Sequence, residues 1–474
     1  MYNQKREVAL ALAVALAMRA LPLVVGYEYY GDSPVRIEAA ERWAAHPHLW
    51  RGFSESFQYG PLHLSLIGWL IQLLGNRVVA ARALSLLCGL LGVWLLGLLT
   101  LRHRDAASAR WAMYGLALSP LHIQASTTGA SEAVFLAMFL GALVLLESEQ
   151  VALAAVLLGA AGLVRYDGWL YVPLFTALLW WRQRDHLRAA GFAVLAAAPA
   201  LGWMAVNQRY AGDALAPVHY IAADHRALAK MMFDYFGSAR WRLYGLTYWP
   251  FAVCGIVTPL LGIAAMSGAF KALWRRTNGW ELAAIAWLPV AYFMFRTSVL
   301  GDFRPLARFA MIAATLSLIF ARDMISQRLR APVIALMILW PVGLAAVSWN
   351  RDGGAAEWAR PLSPISSLPP GIAQAADYLR YVQPGDVVLV DTVWDYLDIP
   401  LVFAAGLADQ QWIRAAWTDD FEQRLARRDP TLAVLLYQGK LGDWTKDRFD
   451  FRGKSFCLEK RFVYATIYAR CPKN

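Results

Sequence analysis

The chain has 474 residues, of which 58% are apolar and only 17% charged, and it carries a net charge of +11. A soluble domain holds roughly 25% charged and 45–50% apolar residues, so an ordinary water-soluble globule is excluded. Nucleic-acid binding is also excluded as the reason for the positive charge, because the basic residues form short clusters between apolar runs. Such clusters fix the orientation of a membrane protein.

A helical span needs about 17–25 apolar residues, fewer where it is broken or buried in protein. Eleven segments qualify in chain order: 8–26, 79–101, 111–128, 132–147, 151–164, 167–181, 189–206, 246–269, 280–296, 307–321 and 331–348. The first follows Lys5 and Arg6 without a small-residue cleavage site, so it reads as a retained anchor. Arg165, Asp167 and Gly168 divide the 151–181 stretch into two spans. The segment PLHLSLIGWLIQLLG (61–75) would be only about 22 Å long as a helix. It is assigned to the outer interface or to a dip into the bilayer.

The connections 102–110, 182–188, 271–276 and 321–330 are basic and fall on one side together with Lys5 and Arg6. The positive-inside rule makes that side cytoplasmic, and the acidic ESEQ at 147–150 weighs little in it. An odd number of spans then places the tail outside from about Asn350. The tail opens with the linker RPLSPISSLPPG (360–371), a boundary signal. The helical stretch IAQAADYLRYV, the run VVLVD (387–391), the helix-like DDFEQRLARR, TLAVLLY (431–437) and the alternating FVYATIYAR follow. Together they read as a small α/β domain. Cys457 and Cys471 lie on its last strands and are expected to pair outside the cytoplasm, whereas Cys88 and Cys254 fall in apolar spans as packing residues.

The expected fold is thus an all-α polytopic membrane protein of about eleven transmembrane helices over 1–350, with a small C-terminal extracytoplasmic α/β domain over 351–474. Its first outer loop, 27–78, carries interfacial helices, among them RIEAAERWA.

The outer junctions carry the chemistry. Asp32 follows the first span in a Gly-Asp-Ser-Pro turn, where it is either a general base or the N-cap of a helix over 34–44. Glu132 opens the fourth span and is either a site residue or an acid favoured by a helix N-terminus. Arg165 and Asp167 join the fifth and sixth spans, as site residues or as a structural clip. Arg296, Asp302, Arg304 and Arg308 lie between the ninth and tenth. Arg304, Arg240 and Arg242 also suit contact with lipid headgroups. Separate hairpins deliver all these ionisable groups to one outer level, as a shared cavity requires.

On these residues the chain resembles the GT-C superfamily of membrane glycosyltransferases, in the protein mannosyltransferase and aminoarabinose-transferase branch. Asp32 is similar to the acid that follows the first span there, and YGPLHLSLIGWLIQLLG to the apolar helix that comes next. RVVAARALSLLCGLLGVWLLGLL, LALSPLHIQAS, Glu132 and RYDGW (165–169) resemble later motifs in the same order. The likeness covers about 1–210 in detail and 211–348 by topology. Members often carry an Asp-Glu pair in the first loop, whereas here Asp32 is followed by Ser33.

The resemblance implies inverting transfer of a sugar from a polyprenyl-phosphate donor at the outer face of the cytoplasmic membrane. Asp32 would be the base, and Tyr59, Glu132, Arg165, Asp167, Arg296 and Arg308 would bind substrate. The arginines suit the leaving phosphate. No cofactor is assigned: no nucleotide-binding glycine loop or metal-ligand spacing is evident. A divalent cation at an adventitious Asp32–Glu132 site is left open, and HPH (46–48) is read as interfacial. The expected partners are the lipid-linked donor, membrane lipids and an acceptor that is protein, lipid or polysaccharide, with no nucleic acid. The competing readings are a transporter or flippase of lipid-linked sugars, and a membrane-anchored scaffold.

Overall fold

The structure, a computed structural model, describes residues 2–349, 354–392, 397–414 and 421–472. The expected domain boundary at 350/351 and the first two residues of the DDFEQRLARR helix lie outside these residues. The protein is a mostly helical, polytopic membrane protein with a C-terminal six-stranded sheet domain.

The first helix, α1 (Tyr2–Val25), leads to α2 (Ser33–Ala45), the short α3 (Phe53–Ser56) and α4 (Pro61–Leu74). The long α5 (Arg77–His103) follows, and then α6 (Ala106–Ala117) and α7 (Pro120–Ala125). The break between the last two falls at Ser119-Pro120. Proline cannot donate to the preceding turn but suits the first position of a new one. Next come α8 (Glu132–Glu147), α9 (Val151–Gly162), α10 (Tyr171–Gln183) and α11 (His186–Ala211). A 3-10 turn over Tyr166–Leu170 separates α9 from α10, so the 151–181 stretch is two helices.

Beyond α11 lie α12 (Ala216–Phe236), α13 (Ser238–Val257), α14 (Pro259–Arg275) and α15 (Trp280–Phe295), which ends in a π-turn over Arg296–Leu300. Besides 111–128, which breaks between α6 and α7, two expected spans are corrected here. The 246–269 segment is not continuous, because the axis turns by 120° between α13 and α14 at Thr258-Pro259. The 307–321 segment is a 3-10 turn, α16 (Met311–Ser317) and a second 3-10 stretch, Leu318–Met324. The bundle closes with α17 (Arg330–Ser348).

Among the described residues, five helices are long and apolar enough to cross a membrane, or six if the bent α13–α14 pair counts as one span. A charged side chain inside the bundle needs partners within it, as lipid demands. Arg19, fully buried in α1, donates to Ser126 Oγ at 2.7 Å and to the carbonyls of Ala15 (2.7 Å) and Ala117 (3.2 Å). It thereby fastens α1 to α6 and to the C-terminal end of α7.

The basic connections meet at one end of the bundle. Arg104 lies 3.3 Å from Asp323, Arg322 2.5 Å from Asp105, Arg182 2.6 Å from Glu147 and Arg110 3.4 Å from Glu7. The other end gathers the loops after α1, α7, α9 and α15. Gly129 N donates to Glu28 at 2.6 Å, Leu62 N to Leu163 O at 3.2 Å and Tyr27 N to Ser366 O at 2.8 Å.

At that second end sits the C-terminal domain. After α18 (Gly354–Ala359) come α19 (Pro370–Leu379), β1 (Val388–Val390), α20 (Asp398–Ala405), β2 (Trp412–Arg414) and α21 (Phe421–Arg427). The remaining strands are β3 (Leu432–Leu436), β4 (Arg448–Phe451), β5 (Lys454–Phe462) and β6 (Ala465–Arg470), in the sheet order β2-β1-β3-β6-β5-β4. The first three are mutually parallel and β3, β6, β5 and β4 pair antiparallel. Cys457 on β5 and Cys471 just after β6 form a disulfide with Cα atoms 5.1 Å apart. The free thiols of the described chain are Cys88 and Cys254.

The interfacial reading of RIEAAERWA is also revised, because α2 is mostly covered. It packs on α4, and Ile399 of α20 joins Val35, Ala39, Tyr59 and Leu64 in one apolar cluster. A buried ion pair locks the two parts together. Arg414, at the end of β2, lies 2.8 Å from Glu38 of α2 and 3.4 Å from Asp398 of α20. Removing one member of such a pair leaves an uncompensated charge away from water. Arg414→Ala is therefore expected to destabilise the docked domain by about 3–5 kcal/mol. Thermal unfolding of the detergent-solubilised protein checks this, and an unchanged melting temperature would refute the role.

Candidate active site

The loop end of the bundle encloses a cavity of about 1740 Å³, bounded by α12, α13, the segment after α15 and the C-terminal domain. Six arginines line it (Arg36, Arg165, Arg296, Arg304, Arg308 and Arg360) against three aspartates (Asp32, Asp167 and Asp224). The wall is therefore electropositive and suits an anionic ligand.

At the centre of this wall runs a chain of ion pairs. Arg308 Nη1 lies 3.3 Å from Asp32 Oδ2 and 3.9 Å from Glu132 Oε1. Arg165 Nη1 donates to the same Glu132 oxygen at 2.5 Å, and its Nε donates to Asp167 at 3.0 Å. Residues from four separate connections thus form one contiguous string, Asp32–Arg308–Glu132–Arg165–Asp167. The Arg165–Asp167 pair is a clip, and both residues line the cavity.

Asp32 stands at the N-cap position of α2, yet its side chain makes no capping bond. It turns instead toward Arg308 and stays about one-fifth exposed to the cavity. The backbone before it makes this possible. Gly31 has φ +51°, and a Cβ there would stand 2.9 Å from Arg308 Nη1. Glycine meets both demands. Behind the loop, the buried Glu28 accepts from Arg82 Nε at 2.9 Å, from Gly129 N at 2.6 Å and from Ser33 Oγ. One carboxylate thereby fixes the exit of the first helix against two other elements.

The other expected residues divide. Arg296 lines the cavity but is held by Asp302 at 2.9 and 3.1 Å and lies over Phe303. Tyr59 is buried beneath the Arg36 guanidinium, 4.3 Å from its ring centre. Arg240 and Arg242 are exposed and do not line the cavity. His48 of the HPH motif pairs with Glu55 at 2.9 Å. Between Asp32 and Glu132, where a cation was left open, the guanidinium of Arg308 stands. Among the described residues no cluster of three or more His, Cys, Asp or Glu side chains is placed to hold a metal ion.

Three features were missed in the sequence. Arg36 lies one helical turn beyond Asp32, a spacing that puts both on one face of the α2 start. Asp224 and His225 come from α12 in the connection taken as a plain outer loop. Burial and the neighbouring Asp32 push the Asp224 carboxyl above its usual range, against Arg304 and Arg308. Burial, aided by Arg308, Arg296 and Arg304, lowers His225 to about 4, and its ring stacks on Phe303 at 4.3 Å. His225 is thus a neutral wall residue at neutral pH. The third feature is the set of buried donors left without partners among the described residues: Tyr30 Oη, Arg36 Nη1 and Arg308 Nε.

The arrangement has close parallels in known folds. The crystal structure of ArnT from Cupriavidus metallidurans bound to undecaprenyl phosphate aligns over 98% of this chain and 99% of its own, with a TM-score of 0.65 and 14% identity. The chain shares the overall fold of this membrane protein. The apo form of the same ArnT aligns with a TM-score of 0.61, at 14% identity and the same coverage. The apo oligosaccharyltransferase of Archaeoglobus fulgidus aligns at a TM-score of 0.50 and 12% identity, over 92% of this chain and 70% of its own. Residues 15–182 match the family model described as alpha-(1->6)-mannopyranosyltransferase, N-terminal domain. Among curated protein sequences, none matches the chain.

The structural part of the ion-pair string can be separated from any part in sugar transfer. Arg165→Ala strands buried Glu132 and is expected to cost about 3–5 kcal/mol of stability. The apolar pair Arg165→Met with Glu132→Leu should recover most of that loss, while sugar transfer stays abolished. Melting temperatures and transfer assays on both variants test this. Activity in the stable double variant would reduce the string to a structural clip.

Proposed function

We propose that the protein transfers a sugar from a polyprenyl-phosphate donor to an acceptor hydroxyl, with inversion, at the outer face of the cytoplasmic membrane. The observation that carries this reading is the juxtaposition, on one cavity wall, of a partly exposed Asp32 with arginines whose buried donors lack protein partners. Such donors, out of water, are matched by a phosphate. The bound lipid in ArnT supports the donor class, and the family match over 15–182 favours mannose as the sugar.

The cavity has room for both ends of such a donor. Tyr244, Tyr248, Phe251, Pro259, Ile263 and Trp340 form an apolar side between α13, α14 and α17, suited to the isoprenoid tail. The 120° bend at Thr258-Pro259 lies at this side. The phosphate then meets Arg308 and Arg36, and the sugar lies toward Asp32.

In the reaction the acceptor oxygen attacks the anomeric carbon as the bond from that carbon to the phosphate oxygen breaks. Asp32 takes the hydroxyl proton. The departing polyprenyl phosphate gains negative charge, which the guanidiniums stabilise in a site shielded from water. Arg308 contacts Asp32 in the free enzyme; its turn toward the phosphate would release Asp32 as a base. Arg165 acts behind it, holding Glu132 so that Glu132 in turn holds Arg308. Arg296, tied to Asp302, and Tyr59, beneath Arg36, shape the wall.

In this reading the chain crosses the bilayer about eleven times, with the amino terminus inside and residues 351–474 outside. The clustering of the basic connections at the end opposite the C-terminal domain supports the orientation.

Asp32→Asn is expected to lower sugar transfer by about 10²–10⁴-fold, the usual contribution of a positioned base, with normal expression and melting temperature. A purified Asp32→Asn enzyme that retains transfer would remove Asp32 from that role. For orientation, Asp447 is well exposed on the C-terminal domain. A membrane-impermeant maleimide should label Asp447→Cys in intact cells from which the outer barrier has been stripped. Labelling only after lysis would reverse the topology.

A further inference from the structure

The C-terminal domain contributes Tyr437, Gln438 and Tyr464 to the wall of the same cavity, and the donor chemistry leaves these three residues unused. Two of them have a backbone that their side chains disfavour. Gln438 has φ +60° and Tyr464 φ +70°, in the left-handed region. Tyr464 is the second residue of the two-residue turn between β5 and β6, since Phe462 pairs with Ala465. With Val463 outside the positive-φ region, that position belongs to glycine in an unstrained turn. Strain of this kind persists where the surrounding structure enforces it, and it clusters at ligand sites.

Both turns are enforced from behind. At Gly371, in the first turn of α19, a Cβ would stand 1.6 Å from the carbonyl oxygen of Val463, so the helix backbone presses directly on the hairpin. The turn after β3 is gripped by the buried Asp391 carboxylate, which accepts from the backbone N–H groups of Leu436, Lys440 and Leu441. Tyr437 N donates to Tyr464 O at 2.8 Å, and the two rings lie 5.6 Å apart. The result is a rigid aromatic pair with an exposed amide beside it.

The topology places this pair where open α/β sheets bind ligands. The parallel order β2-β1-β3 sends the chain to opposite sides of β1, and ligands bind beyond the carboxyl ends of strands at such a switch point. Tyr437 and Gln438 follow the carboxyl end of β3. Tyr464 precedes β6 at the same edge, because Leu436 pairs with Ala465.

We propose that Tyr437, Gln438 and Tyr464 form a saccharide-binding rim through which the C-terminal domain holds the acceptor sugar over the transfer site. Tyrosine rings offer an apolar face to the C–H face of a pyranose, and a carboxamide both donates to and accepts from its hydroxyls. The acceptor is then a glycan end, in place of a peptide or a bare lipid. This deepens the transferase reading and rests on it.

Glycine variants test the rim without the usual loss of fold, because glycine suits the backbone at both strained positions. Saturation-transfer difference NMR on the full-length protein in detergent, with methyl α-mannopyranoside and an α-1,6-linked mannobiose as probes, reads binding. Wild type should transfer saturation to the pyranose ring protons. Tyr464→Gly and Tyr437→Ala should each reduce it by about three- to tenfold, as expected for loss of one aromatic contact. Tyr464→Gly and Gln438→Gly should melt at the same temperature as wild type or higher. Absence of transfer in wild type, equal transfer in the variants, or a lowered melting temperature in Tyr464→Gly would each overturn the proposal. Asp32→Asn should keep wild-type saturation transfer while losing turnover, so a failure of the catalytic reading shows separately from a failure of the rim.

Discussion

Arg165 reaches two carboxylates from different parts of the chain, and one of them, Glu132, is also shared with Arg308. At this depth in the bundle a lone charge would cost several kcal/mol even after relaxation, so none of these groups can be delivered singly. The α7–α8 junction, the α9–α10 turn and the segment before α16 must therefore come together before any one of them is stable. The constraint fixes the relative placement of hairpins whose apolar faces would otherwise slide. Packing of Leu and Ala surfaces is weakly directional; a string of alternating charges is not. The same string ends at Asp32, so the placement of the proposed base is set by the structural network.

The string also limits what the network can do unaided. Three guanidiniums face three carboxylates, namely Asp32, Glu132 and Asp167 against Arg36, Arg165 and Arg308. A balanced network is quiet. The unmatched atoms lie at its edge, on Arg36, Arg308 and Tyr30, and Arg304 adds positive charge to the cavity lining. An anionic headgroup entering there would complete the hydrogen bonding and draw Arg308 away from Asp32. Donor binding and activation of the base are coupled in that picture by one shared arginine.

Much of this was legible in the sequence because it follows from hydrophobicity and charge placement. Long apolar runs gave α1, α5, α11 and α17, and the charged GLVRYDGWL marked the turn between α9 and α10. Alternation marked β6, and the hydrophobic VVLVD and TLAVLLY marked β1 and β3. What was missed depended on three-dimensional choices. The break at Thr258 carries no composition signal beyond a single Pro259, and prolines are tolerated inside other helices here, as at Pro199 and Pro341. Arg36 looked like one polar residue of a surface helix; only the docking of α20 shows that α2 is covered. Asp224 and His225 sat in a stretch too polar to be a span, and their role as cavity wall depends on where α12 folds back.

The C-terminal domain shows why a site can escape a sequence reading altogether. Tyr437, Gln438 and Tyr464 belong to no motif, and alternation assigns the two tyrosines to strand ends. Their significance comes from backbone angles. A tyrosine where a turn asks for glycine is disfavoured locally, and natural sequences generally agree with their local structure. Conflicts of that kind are expected where function competes with stability. Here both conflicts fall at one edge of the sheet, beside the cavity, and both are braced from behind, by the Gly371 backbone and the Asp391 carboxylate. In the proposed reaction the membrane bundle supplies charge for the phosphate and the base. The sheet, docked through Arg414, supplies a rigid apolar edge that the bundle's arginine-rich wall lacks, and a sugar ring needs both kinds of surface.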